Sequence, residues 1–244
     1  MTHLMHSVRI NKYLSRAGVC SKRQADRLVL SGDVRVNGQL AVVGQLVTEA
    51  DNVVVKGQAV GKQPESVYLL YHKPVGVVCT NDQTVAGNLV DALNYPLRVF
   101  AVGRLDKNSE GLLLLTNDGA VFNRILKAEN AHEKAYLVTV DKVITDSFLA
   151  ELASGVPILN TVTLPCVVNK TSGSLENVFN IVLTQGLNLQ IRRMCQALGY
   201  RVKRLQRTRI MNLHLMGLDS GEVRELTGEE IRVLKGLTRD SIST

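Results

Sequence analysis

The sequence predicts an α+β protein in two parts, and three observations predict it. Residues 7–55 carry two short helical periodicities that run into a strand and a tight turn. Residues 56–66 (KGQAVGKQPES) combine Gly, Pro, Lys and Ser without apolar periodicity, as an exposed connector does. Beyond them, short leucine-rich or β-branched runs at 67–71, 112–116, 136–140 and 178–184 alternate with Asn-Asp-Gly turns and a few helical patterns. The expected division is a tail at 1–6, a first domain at 7–55, a connector at 56–66, a larger domain at 67–238 and a tail at 239–244.

In the first part Ile10, Tyr13, Leu14 and Ala17 recur at helical spacing, and Gly18 stops the helix. Ser21 followed by Gln24 is a capping-box pattern that opens a second helix, whose buried face is Ala25, Leu28 and Val29. Gly32 ends it. Val34-Arg35-Val36 then enters an Asn37-Gly38 turn, with 53–55 as the partner strand. In the second part Lys73-Pro74-Val75-Gly76 reads as a turn after a strand. The polar segment Gly103-Arg104-Leu105-Asp106-Lys107-Asn108-Ser109-Glu110-Gly111 is a loop pinned by the apolar run that follows it.

The chain has 244 residues, enough for a sizeable core, with 29 Lys+Arg against 22 Asp+Glu and a net charge of +7. Its longest apolar stretches fall far short of the ~18–20 residues that a membrane span needs, so no membrane association is expected. Four scattered cysteines (Cys20, Cys79, Cys166, Cys195) without C-x-x-C, and no apolar leader, predict reduced thiols and a cytoplasmic location. His3 and His6 fall in the tail, no metal-ligand spacing occurs, and no metal is expected. Phosphate-loop, dinucleotide and serine-hydrolase motifs are also missing from the sequence.

The positive charge is concentrated. Arg9, Lys12, Arg16, Lys22, Arg23, Arg27 and Arg35 stand against only Asp26 and Asp33, and Arg192, Arg193, Arg201, Lys203, Arg204, Arg207 and Arg209 have no acidic residue between them. A solvated charge run is the alternative to a binding surface. Lys22 and Arg23, however, fall in the first turn of a helix, where the macrodipole disfavours cations; a phosphate bound there accounts for both. In the second block, alternation along a strand is expected to present several cations on one face.

Over 7–54 the segments RINKYLSRAGVCSKRQAD and GDVRVNG resemble the S4 RNA-binding module, with Lys22 standing where many members carry Arg. GRLDKNSEGLLLLTNDG, with Lys73-Pro74-x-Gly76 upstream and Gln190-Ile191-Arg192-Arg193-Met194 downstream, resembles the pseudouridine synthases that modify ribosomal RNA, within them the RsuA/RluB/E/F branch. The stretches HEKAYLVTVDK, GVPIL and RTRIMN are most similar to the enzymes of that branch that act on large-subunit (23S) rRNA. The resemblance implies an S4-like αα-β-hairpin domain followed by a catalytic domain with a mixed, mainly antiparallel sheet. It implies an isomerase acting on RNA, 23S rRNA first and tRNA second, without cofactor and as a monomer.

Carried onto this chain, the resemblance makes Asp106 the catalytic aspartate, Arg104 the arginine inserted into the duplex, Tyr136 the active-site tyrosine, Arg192 the basic partner of the aspartate, and Leu205 a wall of the uracil pocket. RNA contact at the phosphates falls to Arg9, Lys12, Lys22, Arg23, Arg27, Lys73, Arg193, Lys203, Arg204, Arg207 and Arg209, with Lys73 also supporting the loop. Leu189 stands where the family commonly has Arg. Chemically, the reaction breaks N1–C1′, rotates the uracil and rebonds it through C5. A carboxylate serves either as nucleophile at C1′ or as base toward a sugar proton, and a cation beside it favours its charged form. Competing readings are a noncatalytic RNA-binding or ribosome-assembly factor and a nuclease; the latter lacks a carboxylate cluster or paired histidines.

Overall fold

The computed structural model describes residues 7–126, 131–171, 173 and 175–238. His3 and His6 lie outside them. Two compact units divide the chain: the first runs to Ser66 and takes in Pro96–Arg98 and Asn117–Gly119, and the second holds the rest. The first unit comprises β1 (Val8–Arg9), α1 (Ile10–Arg16), α2 (Lys22–Leu30), β2 (Val34–Val36), β3 (Gln39–Leu40), β4 (Leu46–Val47), β5 (Val53–Val55) and β6 (Gln58–Ala59). Ile10 and Leu14 of α1 and Ala25 and Val29 of α2 meet Val34, Val36, Val47 and Val53 in one small core. Ser21 caps α2, its hydroxyl accepting from the Gln24 amide at 3.2 Å. The turn from β2 to β3 is the two-residue hairpin that Asn37-Gly38 predicts, with φ of 52° and 85°, and β5 pairs antiparallel with β2. Asn37 does more than tolerate that conformation: its side chain donates to Asp51 Oδ1 and accepts from the Asn52 amide.

The second unit comprises β7 (Tyr68–Lys73), α3 (Leu89–Leu93), β8 (Phe100–Ala101), β9 (Glu110–Thr116), α4 (Gly119–Leu126), β10 (Lys134–Val140), α5 (Asp146–Ser154), β11 (Pro157–Ile158), β12 (Thr161–Val162), β13 (Val167–Lys170), β14 (Val178–Leu183), α6 (Gln190–Ala197), β15 (Val202–Ile210), β16 (Leu213–His214), β17 (Val223–Glu225) and α7 (Gly228–Leu237). Its sheet runs β13-β14-β10-β15-β9-β7-β17, with β16 beside β15 and β8 beside β9. Among the described strand pairs only β9–β15 is parallel, so the sheet is mixed and mainly antiparallel as expected.

The Leu112–Leu115 run sits in mid-sheet, fully buried, and its side chains alternate between two cores. Leu112 and Leu114 join Tyr68 and Leu70 with α4 and α7, whereas Leu113 and Leu115 join Leu69 and Tyr71 with α3. A further core under α5 and α6 holds Val138, Phe148, Phe179, Ile181, Met194 and Leu205. No helix among the described residues is long and apolar enough to cross a membrane.

Candidate active site

The loop that carries Asp106 joins β8 to β9 and is held from several directions. Leu105 is buried beneath it, 7% exposed, and its amide lies 3.5 Å from Cys79 Sγ. The Gly76 amide donates to Lys107 O at 2.8 Å, so the Lys73–Gly76 turn fastens one flank. Ser109 is fully buried, and its amide closes a turn on Asp106 O at 3.0 Å. Asp106 itself is half-buried, and its carboxylate makes no hydrogen bond or ion pair among the described residues. Arg104 is exposed on the same loop.

Register brings distant residues into one row across the sheet. Tyr136 pairs with Arg207, Arg207 with Gly111, and Gly111 with Lys73. Gly111 is obligatory there: its φ is 109°, and a Cβ would lie 2.3 Å from Arg207 O. Tyr136 is half-buried against the core that contains Leu205, which sits opposite Val138 one alternation along. Lys73 is fully buried and donates to Pro74 O at 2.8 Å and Val77 O at 2.9 Å. Burial pulls its ammonium below the ordinary lysine range, against the opposing pull of Cys79 and Asp106. Lys134, two residues before Tyr136 on β10, is likewise lowered, first by burial and then by Arg207.

Three sequence expectations are corrected by this geometry. Arg192 forms no ion pair with Asp106; its Nη2 donates to Asn108 O at 2.7 Å and to Ser109 Oγ at 3.4 Å, and its Nη1 to Val202 O at 3.3 Å. The side chain therefore grips the backbone beyond the aspartate and not the carboxylate. Arg207, expected among the surface cations, is 2% exposed, because its side of β15 is also that of Leu205 and faces inward. Its Nε donates to Leu112 O at 2.7 Å and its Nη1 to Arg104 O at 3.4 Å. Lys73 cannot meet phosphate either, being sealed in with its own turn.

The other basic residues remain at the surface or near it. Arg9, Lys12, Lys22, Arg23 and Arg27 are exposed in the first unit, where Arg9, Lys12 and Lys22 line one concavity with Ser7, Val8, Asn11 and Leu46. In the second unit Lys203 and Arg204 are exposed, Arg204 paired with Glu110, and Arg209 pairs with Glu133 at 2.8 Å. Arg193 donates to Asn188 O and Oδ1. Leu189 caps α6 in the left-handed region, φ 52°, and is 37% exposed. The thiols of Cys166 and Cys195 are pushed up by burial to about 11 and about 12, so neither is a nucleophile. Sequence reasoning did not single out Lys134, which stands two residues before Tyr136 on the same side of β10 and donates to His132 O at 2.8 Å.

Comparison with known proteins agrees with this architecture. The family profile described as RNA pseudouridylate synthase matches residues 67–197, and that of the S4 domain matches residues 8–53. A relative from Escherichia coli (strain K12), named dual-specificity RNA pseudouridine synthase RluF, is 50% identical over 239 residues, 97% of this chain and 81% of that protein. The Bacillus subtilis (strain 168) protein named ribosomal large subunit pseudouridine synthase B is 33% identical over 94% of this chain and 96% of its own. A crystal structure described as a pseudouridylate synthase superposes with a TM-score of 0.68 at 29% identity, covering 93% of this chain and all of the other.

Proposed function

The chain belongs to the RNA pseudouridylate synthase family and isomerises uridine to pseudouridine in RNA, and on that premise we propose that its substrate is a uridine of structured 23S rRNA, extruded toward Asp106. The observation that carries this reading is a half-buried carboxylate left without a partner on a loop whose backbone is tied down on every side. The name of the Bacillus subtilis relative supports the large ribosomal subunit as target. The name of the Escherichia coli relative, dual-specificity, supports a second kind of target, and tRNA is the second RNA to test.

The reaction is read as cofactor-free: the N1–C1′ bond breaks, the uracil turns, C5 bonds to C1′ as its proton leaves, and N1 takes up a proton, so every atom is conserved. Asp106 supplies the negative charge, either by attacking C1′ or by removing a sugar proton, and in both cases it faces oxocarbenium-like charge. Extruding a stacked base costs about a few kcal/mol. The exposed guanidinium of Arg104 offsets part of that by stacking in the space the base leaves. Tyr136 presents a ring face to the uracil and a hydroxyl for the departing C5 proton, beside the apolar wall of Leu205. Residues 7–55 act as the RNA-gripping module through Arg9, Lys12, Lys22, Arg23 and Arg27, residues 56–66 as connector, and residues 67–238 as the catalytic domain, working as a monomer in the cytoplasm. Arg193, Lys203, Arg204 and Arg209 add phosphate contacts near the site.

The test uses 23S rRNA, and in parallel tRNA, labelled with tritium at uridine C5. Isomerisation releases label to water, a pure binder releases none, and a nuclease shortens the RNA. Asp106→Asn is expected to abolish release while RNA affinity stays within about threefold, since the loop's anchors are backbone contacts that the substitution spares. Undiminished turnover by this variant removes Asp106 from the mechanism.

A further inference from the structure

The two carbonyls that Arg207 binds lie on opposite sides of Asp106 in the chain, one in the catalytic loop and one in β9. Arg104 lies two residues before Asp106, and Leu112 follows the loop as it enters β9. One guanidinium therefore closes the loop's base, from a strand that approaches Gly111 so closely that no Cβ fits between them. Resting on the assignment of Asp106 as catalyst, we infer that Arg207 is a positioning residue of the isomerisation: it sets where the Asp106 carboxylate stands relative to C1′, and does not touch phosphate.

Two further observations separate this from ordinary core packing. The remaining nitrogen, Nη2, is buried with no hydrogen-bond partner, a desolvation cost that an apolar residue would avoid. Lys73, on the next strand but one from Arg207, lies within electrostatic reach of both Arg207 and Asp106, so this cation sits in the same charge cluster as the carboxylate. Glu110, the other carboxylate of that cluster, is taken by Arg204. A planar fork that spans the Leu112 and Arg104 carbonyls at once is a job that the single ammonium of lysine does poorly.

The experiment measures tritium release by Arg207→Lys and Arg207→Ala under saturating and limiting RNA, together with RNA affinity and the fraction folded at the assay temperature. Positioning predicts a kcat about 100-fold lower in both folded variants with KM and affinity within about threefold, a misplacement of about 1 Å sufficing for that loss. It also predicts that millimolar guanidinium ion restores part of the kcat of Arg207→Ala and none of that of Arg207→Lys. Near-native kcat in Arg207→Lys, a loss carried by KM, no rescue of Arg207→Ala, or a fall in activity that merely tracks the unfolded fraction each overturns it. Loss of label release by the unsubstituted enzyme on every RNA offered is a different failure, that of the function itself.

Discussion

A carboxylate that is to react with a ribose must be held in position without being consumed by its own holders, and the residues around Asp106 divide that work. Lys73 and Arg207 are cations in its neighbourhood, yet both spend their hydrogen bonds on backbone carbonyls. Arg192 does the same at Asn108 O and Val202 O and adds a bond to the Ser109 hydroxyl. Hydrogen bonds from a charged donor contribute about 1.5–3 kcal/mol each, which keeps the loop rigid while the carboxylate stays open to substrate. Arg192→Met is therefore expected to lower kcat by about 100-fold, with KM nearly unchanged, because loosening the crest of the loop moves the carboxylate and not the RNA-binding surface. Single-turnover label release against RNA concentration checks it; an effect confined to KM would mean that Arg192 binds RNA.

At the scale of elements, α7 shows what complete local signals accomplish. Thr227 and Glu230 form a reciprocal capping box, and Arg224 of β17 adds two 2.8 Å bonds to the Glu230 carboxylate. That arginine, with the Thr227 amide, brings the carboxyl down from 4.5 to about 2 against the opposing effect of burial. A depressed carboxyl stabilises the fold fully above its unfolded value and loses that contribution as pH falls through the folded one. The window here thus runs from about pH 4.5 to about pH 2. Since the pair is partly solvated, its contribution is at most about 1 kcal/mol. Urea unfolding midpoints should fall across that window more steeply for the natural chain than for Glu230→Gln; parallel curves would remove the pair from the stability of α7.

For the whole molecule, the net charge of +7 matters through its placement. Arg9, Lys12 and Lys22 share one concavity of the first unit and make no ion pair among the described residues, so each is free to neutralise a phosphate. Replacing all three by Gln should weaken RNA binding and reduce the magnitude of the log–log salt slope by about 2 to 3, at about 0.7–0.9 per phosphate. The turnover of bound RNA should be unchanged. Binding isotherms at several salt concentrations measure this, and a slope equal to that of the natural chain would place the phosphates elsewhere.

Local rules sufficed for the Ser21 cap, the Asn37-Gly38 hairpin, the mid-sheet leucine run and the α+β class, because each depends on neighbours in the chain: a side-chain oxygen three residues from an amide, two residues able to adopt positive φ, an unbroken apolar run ahead of a turn. The loop carrying Asp106 was legible through its resemblance to a family motif; its composition alone reads as an ordinary polar turn. The partners of its cations were not legible. Arg192, Arg207 and Lys73 are equally basic in the sequence; only the β7-β9-β15-β10 order and its bulged register turn Arg207 inward beside Gly111, and only the placement of α6 brings Arg192 to the backbone at Asn108. Charge is written in the residue, but what it pairs with depends on burial and on distances between segments about a hundred positions apart, and those exist only once the sheet has assembled.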